Sequence, residues 1–510
     1  MTLLDPAPAI RYRVGTLSYT MGGLISVFFW MLWGDLCVNI METIIPRLVP
    51  VRLGHLGASP ATVGLVAASI PAGVELLVNP FVSTYSDRYR SRWGRRRPFI
   101  LLCTPILALC LIAVGFADDL GPKLHSALGG LGMSEQTMTI ALLGLLLAIF
   151  QIFNVAVLAT YYYLIADVVP QAVIGKFTAM YRVVGTLGGV IFNQFIFKYA
   201  DDYEWQIYTG CAAVYVVAFL LMGWRVKEGQ YPPPPKLTEN RSGPEAVAQW
   251  LRESFSIRFY QKLFTIGLFY YFAIGSVIFQ QNFALYDLGM SKADAGATFA
   301  WAGLISLPLF FVLGPLADKF HPVRMLIGGM AVMGVAALGC HLFIKDAASF
   351  KLWTIIWTFA QTAYLGGQIS LLPRTLPREQ YGQYCAANNT LCAIGKFGAP
   401  ALCGLLIGAL GSNRYGYLWT ACFSACGVVA CIIVYLHWKR LGGDLGYKPP
   451  LYAGMSSSFD EPHPGTPTEV APIAEPAEMA SGAVPVVEAG RPDALQQASD
   501  GAPPTPPQSR

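Results

Sequence analysis

The sequence is 510 residues long, 54% hydrophobic and only 13% charged, with a mean hydropathy of +0.48. An average soluble domain carries about 25% charged residues, so this composition argues for apolar helices in a bilayer and against a water-soluble fold. The formal net charge of +5 is too mild to point to nucleic acid, and the eleven Cys, mostly inside apolar runs and without a CxxC pair, support neither a metal site nor a disulfide framework.

The first fifteen residues, MTLLDPAPAIRYRVG, lack the basic, apolar and small-residue order of a cleavable signal and are expected to stay on the protein. A span needs about 20 mostly apolar residues to cross a core of about 30 Å. Twelve stretches meet this, at 18–45, 61–85, 98–117, 137–166, 176–199 and 206–225, then 260–286, 294–317, 323–344, 351–373, 383–410 and 415–438. The predicted fold is an all-α integral membrane protein of twelve transmembrane helices. Its parts are a leader (1–17), a six-helix half (18–225), a linker (226–259), a second six-helix half (260–440) and a tail (441–510). The linker contains Pro232-Pro233-Pro234-Pro235 and is expected to hold one short helix around Pro244–Phe255. From residue 449 the tail is Pro-rich, with eight acids against two bases, and is expected to be disordered.

Basic residues orient the chain. Arg11 and Arg13, the run Arg88 to Arg97, Lys319 with Arg324, and Lys439 with Arg440 fall on one side of the twelve spans. Both termini and the linker are therefore expected in the cytoplasm, with the chain in the cell (inner or plasma) membrane.

An ionisable group inside a span costs about 2.5–3.5 kcal/mol at the helix centre and marks function by default. In span one Asp35, Asn39 and Glu42 stand at i, i+4 and i+7, one helix face that must look into the bundle. Span two has Glu75 with Asn79 at i+4, flanked by Pro71, Gly73 and Pro80, which can open the helix onto a cavity. Arg182 in span five and Lys396 in span eleven are the expected buried cations of the two halves. A carboxyl between burial and a cation can exchange a proton, so Asp35 or Glu75 is the expected proton site. Amides that donate and accept suit hydroxyl-rich ligands: Gln151 and Asn154 in span four, Asn193 in span five, Gln280, Gln281 and Asn282 in span seven, Gln361 and Gln368 in span ten, and Asn388 and Asn389 in span eleven. Trp30, Trp33, Tyr271 and Trp357 could stack on a sugar face. No nucleophile–base pair or metal-ligand spacing occurs, so neither an enzyme, a cofactor nor a metal is expected.

The two halves echo each other. Pro170, Gly175 and Gly188 recur 207 residues later as Pro377, Gly382 and Gly395, and Ser86-Asp87-Arg88 recurs in form as Ala317-Asp318-Lys319. In the loop after span two, Asp87, Arg88, Gly94, Arg95, Arg96 and Arg97 can form charge pairs in one state and part in another. Gly314, Asp318 and Lys319 would do the same in the second half.

On these features residues 15–440 resemble the major facilitator superfamily. Gly314-Pro-Leu-Ala-Asp318-Lys319 is similar to its loop motif, and the first copy has Ser83 where the motif's Gly would stand. The string Ser86-Asp87-Arg88-Tyr-Arg-Ser-Arg-Trp-Gly94-Arg95-Arg96-Arg97-Pro98 resembles the glycoside-pentoside-hexuronide symporters, and especially their sucrose:proton branch. The resemblance implies a secondary active transporter working by alternating access, with a small neutral polar solute, most naturally a sugar or glycoside, as substrate, the proton as coupling ion and the lipid bilayer as partner. Counting back from Leu164-Ile-Ala-Asp167, the resemblance places the acid that sucrose symporters carry in span four at or near Gln151. Either Asp35 or Glu75 has taken over the proton site, or the protein is a uniporter, or its substrate differs. A carrier of a non-sugar solute (drug, pterin or pigment-like) and a sensor without net transport are the alternatives; oligomeric state is left open.

Overall fold

The structure, a computed structural model, describes residues 12–129, 132–230, 250–377 and 381–450. Twelve long helices run through it: α1 (Met21–His55), α2 (Pro60–Gly64 continuing through Leu65–Ser69 and Ile70–Arg88), α3 (Arg97–Gly115), α4 (Glu135–Val168), α5 (Ile174–Ile191) and α6 (Glu204–Arg225), then α7 (Arg258–Ile274), α8 (Lys292–Lys319), α9 (Pro322–Phe343), α10 (Ala347–Thr375), α11 (Tyr381–Leu410) and α12 (Tyr415–Arg440). Among the described residues nine stretches are long and apolar enough to cross a membrane, and α5, α8 and α10 complete the twelve. The 18 residues of α5 rise about 27 Å, and turns through Tyr199 lengthen it.

Local chemistry starts these helices. The side chains of Thr20, Ser59, Ser134 and Ser291 each accept the N–H three residues on, at 3.0–3.3 Å, and Asp346 with Ser349 forms a reciprocal capping box ahead of α10. The first span, predicted to stop at 45, continues to His55 with Pro46 and Pro50 inside it. Pro50 has no N–H for the carbonyl of Pro46, and Gln281 Nε2 donates to that carbonyl at 2.9 Å instead. Three π turns interrupt the helical run, Leu65–Ser69 in α2, Phe192–Ile196 after α5 and Phe283–Asp287 after α7. Such turns put an extra residue into the ladder and cluster at functional sites.

Helix packing repeats six helices apart. In the first half α1 packs on α5 and α6, α3 on α4 and α6, and α2 on α4; in the second α7 packs on α11 and α12, α9 on α10 and α12, and α8 on α10. Two buried clusters largely follow the same division, one with Met31, Val38, Tyr161 and Phe219 but reaching Phe279, Cys403 and Ile407 across the seam, the other with Phe264, Met330, Tyr364 and Val434. The glycine echo has a structural meaning. A Cβ on Gly188 would lie 2.9 Å from the Leu36 carbonyl, and one on Gly395 3.0 Å from the Leu268 carbonyl, so each glycine lets its helix approach the first helix of its own half. The halves meet through α2 against α11 and α5 against α8, a pair of contacts that the repeat exchanges.

A small hairpin, β1 (Tyr12–Val14) with β2 (Leu17–Tyr19), precedes α1 and packs Tyr12, Leu17 and Tyr19 on the first cluster. Residues 250–254 are helical; the rest of the short helix expected around Pro244–Phe255 lies outside the described residues, as do residues 451–510 of the tail.

Candidate functional site

Polar side chains converge where the middles of α1 and α2 face α4, α5 and α11. Asp35 is fully buried; Asn39 Nδ2 donates to its Oδ1 at 3.0 Å, and its Oδ2 has no hydrogen-bond partner. The carboxylate lies against Gly185 of α5, where a Cβ would come within 3.2 Å of Oδ2. Arg182, expected as a buried cation, is exposed on α5, and acts on Asp35 through space without an ion pair among the described contacts. Half-open Glu75 on α2 instead pairs with Lys396 on α11, Nζ to Oε1 at 3.2 Å, across the junction of the halves. Lys396 Nζ also sits 5.1 Å from the Tyr271 ring centroid, a cation–π contact. Glu42, in the same electrostatic neighbourhood, opens onto a cavity of about 230 Å³ lined by residues of α1, α2 and α4.

The amides divide. Gln151 and Asn154 line that cavity, with Asn154 Nδ2 donating to Gln151 Oε1 at 3.4 Å. Gln280, Gln281 and Asn282 are buried, and Gln281 Nε2 bridges to the Pro46 and Arg47 carbonyls of α1, both at 2.9 Å. Asn282 lines a separate cavity with Pro60 and Asn413, away from the carboxylates. Asn193 bonds its own helix at Gly189. Gln361 lies against the Tyr270 hydroxyl, Asn388 and Gln368 are half-buried, and Asn79 and Asn389 are exposed.

The basic loop is built around an acid that sequence reasoning missed. Glu228, three residues past the end of α6, accepts backbone N–H bonds from Arg95, Arg96 and Arg97 at 2.7–2.9 Å, so its carboxylate caps the start of α3. Gly94 makes room for it: its φ is +104°, and a Cβ there would lie 2.5 Å from the Glu228 carboxyl carbon. The Arg95 guanidinium forks onto Asp167 at the end of α4 (2.7 and 3.2 Å), and Arg96 Nη1 donates to Ser86. Arg97 donates to the Gly223 carbonyl at 2.6 Å. The side chains of Asp87, Arg88 and Asp318, and Gly314 beside the last, lie outside the described residues; Lys319 is exposed near the Phe320 ring. Asp167 had a signal in the Leu164-Ile-Ala-Asp167 string, whereas Glu228 is a lone acid beside Lys227 that only folding brings 131 residues back to Arg97.

At the opposite, far end the halves touch closely. A Cβ on Gly64 would lie 2.3 Å from the Pro400 carbonyl oxygen, one on Gly404 2.3 Å from that of Pro60, and one on Gly296 2.3 Å from that of Asn193. Tyr286 donates to the Val51 carbonyl at 3.1 Å, and Lys292 pairs with Asp201. The hydrogen bonds and close approaches described between the halves run from the level of Glu75–Lys396 to this end.

A family model described as Major Facilitator Superfamily matches residues 14–400. The chain belongs to that superfamily. The facilitator fold is also that of the solved D-xylose-proton symporter, with a TM-score of 0.59 at 15% identity over 81% of this chain and 97% of that one. A bacterial homologue of the human lysosomal transporter Spinster matches with a TM-score of 0.59 at 14% identity over 82% of this chain and 97% of its own. In sequence, the sucrose transport proteins SUT1 of Oryza sativa and SUC3 of Arabidopsis thaliana are each 46% identical to it over 46 residues. That stretch is 9% of this facilitator and only 8–9% of either relative's length. The chain is a multi-pass membrane protein of a transporter family.

Proposed function

We propose that this facilitator carries a small neutral polar solute, a sugar or glycoside, across the cell membrane in symport with protons. The observation that carries the reading is the set of three carboxylates, Asp35, Glu42 and Glu75, gathered with one ammonium, Lys396, beside an amide-lined cavity. Amides and carboxylates bond hydroxyls without demanding a charged substrate, and carboxylates that trade an ammonium partner for a proton couple the two gradients. The Glu75–Lys396 bond crosses the halves, so alternating access separates it and leaves a carboxylate to be protonated. The likeness to sucrose transport proteins and to the fold of a xylose–proton symporter supports the sugar class. In this reading the leader (1–17), linker (226–259) and acidic tail (441–510) lie in the cytoplasm with both termini, and the loop of Gly94 to Arg97 works at the cytoplasmic gate, with Asp87, Arg88, Gly314, Asp318 and Lys319 beside it.

Uptake of labelled mono- and disaccharides into proteoliposomes, with and without an imposed pH gradient, tests this. Accumulation of one sugar that needs the gradient is expected, and its loss in Asp35→Asn or Glu75→Gln assigns the carboxylate set. Absence of sugar-dependent flux across the panel overturns the sugar reading. Flux indifferent to the gradient overturns the coupling.

A further inference from the structure

The three carboxylates of the central cluster are not equivalent. Asp35 is buried and already accepts from Asn39, and Glu75 is held by Lys396. Glu42 is exposed on α1, makes no hydrogen bond or ion pair among the described contacts, and borders the open 230 Å³ cavity lined by residues of the first half. Across that cavity stand Gln151 and Asn154 of α4. Asn154 is 5% exposed and its Oδ1 has no partner, an acceptor buried at a cost that only a ligand or water in the cavity relieves. Pro46, also on the wall, has no N–H to offer the Glu42 carbonyl, so the backbone there adds another acceptor without its helical donor. The remaining lining, with Phe150, Leu147 and Ile45, is apolar. A wall with a few convergent polar groups on an apolar bed is how small-molecule sites are built, and drug-sized ligands need about 300–1,000 Å³. The volume here admits one ring with an apolar face and a hydroxyl-bearing edge.

We propose that Glu42, Gln151 and Asn154 form a hydroxyl-recognition subsite for a single sugar ring within the first half, and that Glu42 is the carboxylate whose proton travels with the substrate. This rests on the sugar-symport reading. Protonated, Glu42 both donates to one ring hydroxyl and accepts from its neighbour, while Gln151 and Asn154 supply the next partners; ionised, it only accepts. The titratable and charged groups facing it are Asp35 on its own helix, Glu75 on α2, Tyr162 on α4, Tyr215 on α6 and Lys396 on α11. Lys396 belongs to the second half, so when Glu75 and Lys396 part the ammonium leaves Glu42 as well; Glu42 then takes up a proton with the sugar and gives it to water once the halves rejoin on the side where the sugar leaves.

The test is sugar binding to the purified full chain between pH 5 and pH 9, with labelled D-xylose, D-glucose and sucrose as probes, together with gradient-driven uptake. In the parent, affinity for a monosaccharide is expected to fall at least tenfold as pH rises, whereas in Glu42→Gln the affinity becomes independent of pH and uptake no longer follows the gradient. The double variant Glu42→Gln with Gln151→Glu, which returns an acid to the opposite wall, is expected to recover pH-dependent binding, an outcome that a merely structural role for Glu42 would not produce. Asn154→Ala is expected to weaken binding about tenfold at every pH. A parent that binds and accumulates sugar while Glu42→Gln keeps its pH dependence overturns this inference and leaves the sugar-symport reading standing; a parent that binds none of the three probes overturns both.

Discussion

The two ends of the bundle hold their parts together by different means. At the far end backbone meets backbone: Gly64 and Gly404 bring α2 and α11 to the Pro400 and Pro60 carbonyls, and Gly296 brings α8 onto Asn193. At the basic end the contacts described do not cross between the halves: Arg95 bonds Asp167, Glu228 of the linker holds the start of α3, and Arg324 meets Asp444 of the tail, while Leu77 and Phe81 of α2 stay 67% and 75% exposed. The lesson is that the two ends are held by different forces. A seam of glycines closes by dispersion and shape, which is lost all at once when the surfaces part. In the proposed transport cycle, charges paired inside one half can stay paired as that half moves.

The largest effect should come from breaking the far seam. Gly64→Leu places side-chain atoms where the Pro400 carbonyl now sits; overpacking of this kind costs about 1–3 kcal/mol. The far end should then open, read as a roughly tenfold or greater rise in thiol labelling of a cysteine introduced at Met290, which is only 7% exposed with this end closed. Next is the grip of Glu228 at the other end. Glu228→Ala removes the acceptor for three N–H groups, and Gly94→Ala forces a Cβ into the same space at positive φ; each should cost about 1–3 kcal/mol. A lower thermal midpoint of the purified protein checks both, and the double variant should fall well short of the sum, because the two changes destroy one contact.

Between the ends, Glu75→Gln should shift the balance of states by only about 1 kcal/mol, since both partners of the Lys396 pair are partly exposed. Labelling at both ends would register it. His321, ahead of α9, offers a pH-dependent contrast. Burial against the Trp438 ring, 4.0 Å away between centroids, pushes its imidazole down to about 4 from an ordinary 6.5. The unfolded chain therefore binds a proton that the folded one refuses. Its contribution to stability is complete above about pH 6.5 and is lost as pH falls toward 4, and His321→Phe should flatten that part of a melting-temperature profile. The smallest effect is expected from Lys292→Ala, since Asp201 is largely exposed: within about 0.5 kcal/mol by thermal melting. A large loss there would show that charge, and not the glycine seam, holds the far end.

Much of the architecture was legible in the chain. The order of the spans follows from the lengths of apolar runs, and the pairing of Gly188 with Gly395 was visible at an offset of 207 because the same close approach is needed twice. The end of α1 was not, since Pro46 and Pro50 read as breakers until Gln281 of the other half takes the freed carbonyl. At the site, Asp35, Glu42, Glu75 and Lys396 stood out as ionisable groups in apolar helices, which is a local property.

Their partners did not stand out. Lys396 bonds Glu75 across 321 positions, Glu228 returns 131 positions to Arg97, and Arg182 stays exposed where a buried cation was expected. The sequence by itself determined twelve helices in two matched halves, because burial in a bilayer and a repeated packing rule are written in runs and spacings. Only the tertiary structure decided that Glu75 takes the ammonium and Glu42 faces the cavity, because which face of a helix turns inward is set by the glycines, prolines and π turns of the helices packed against it.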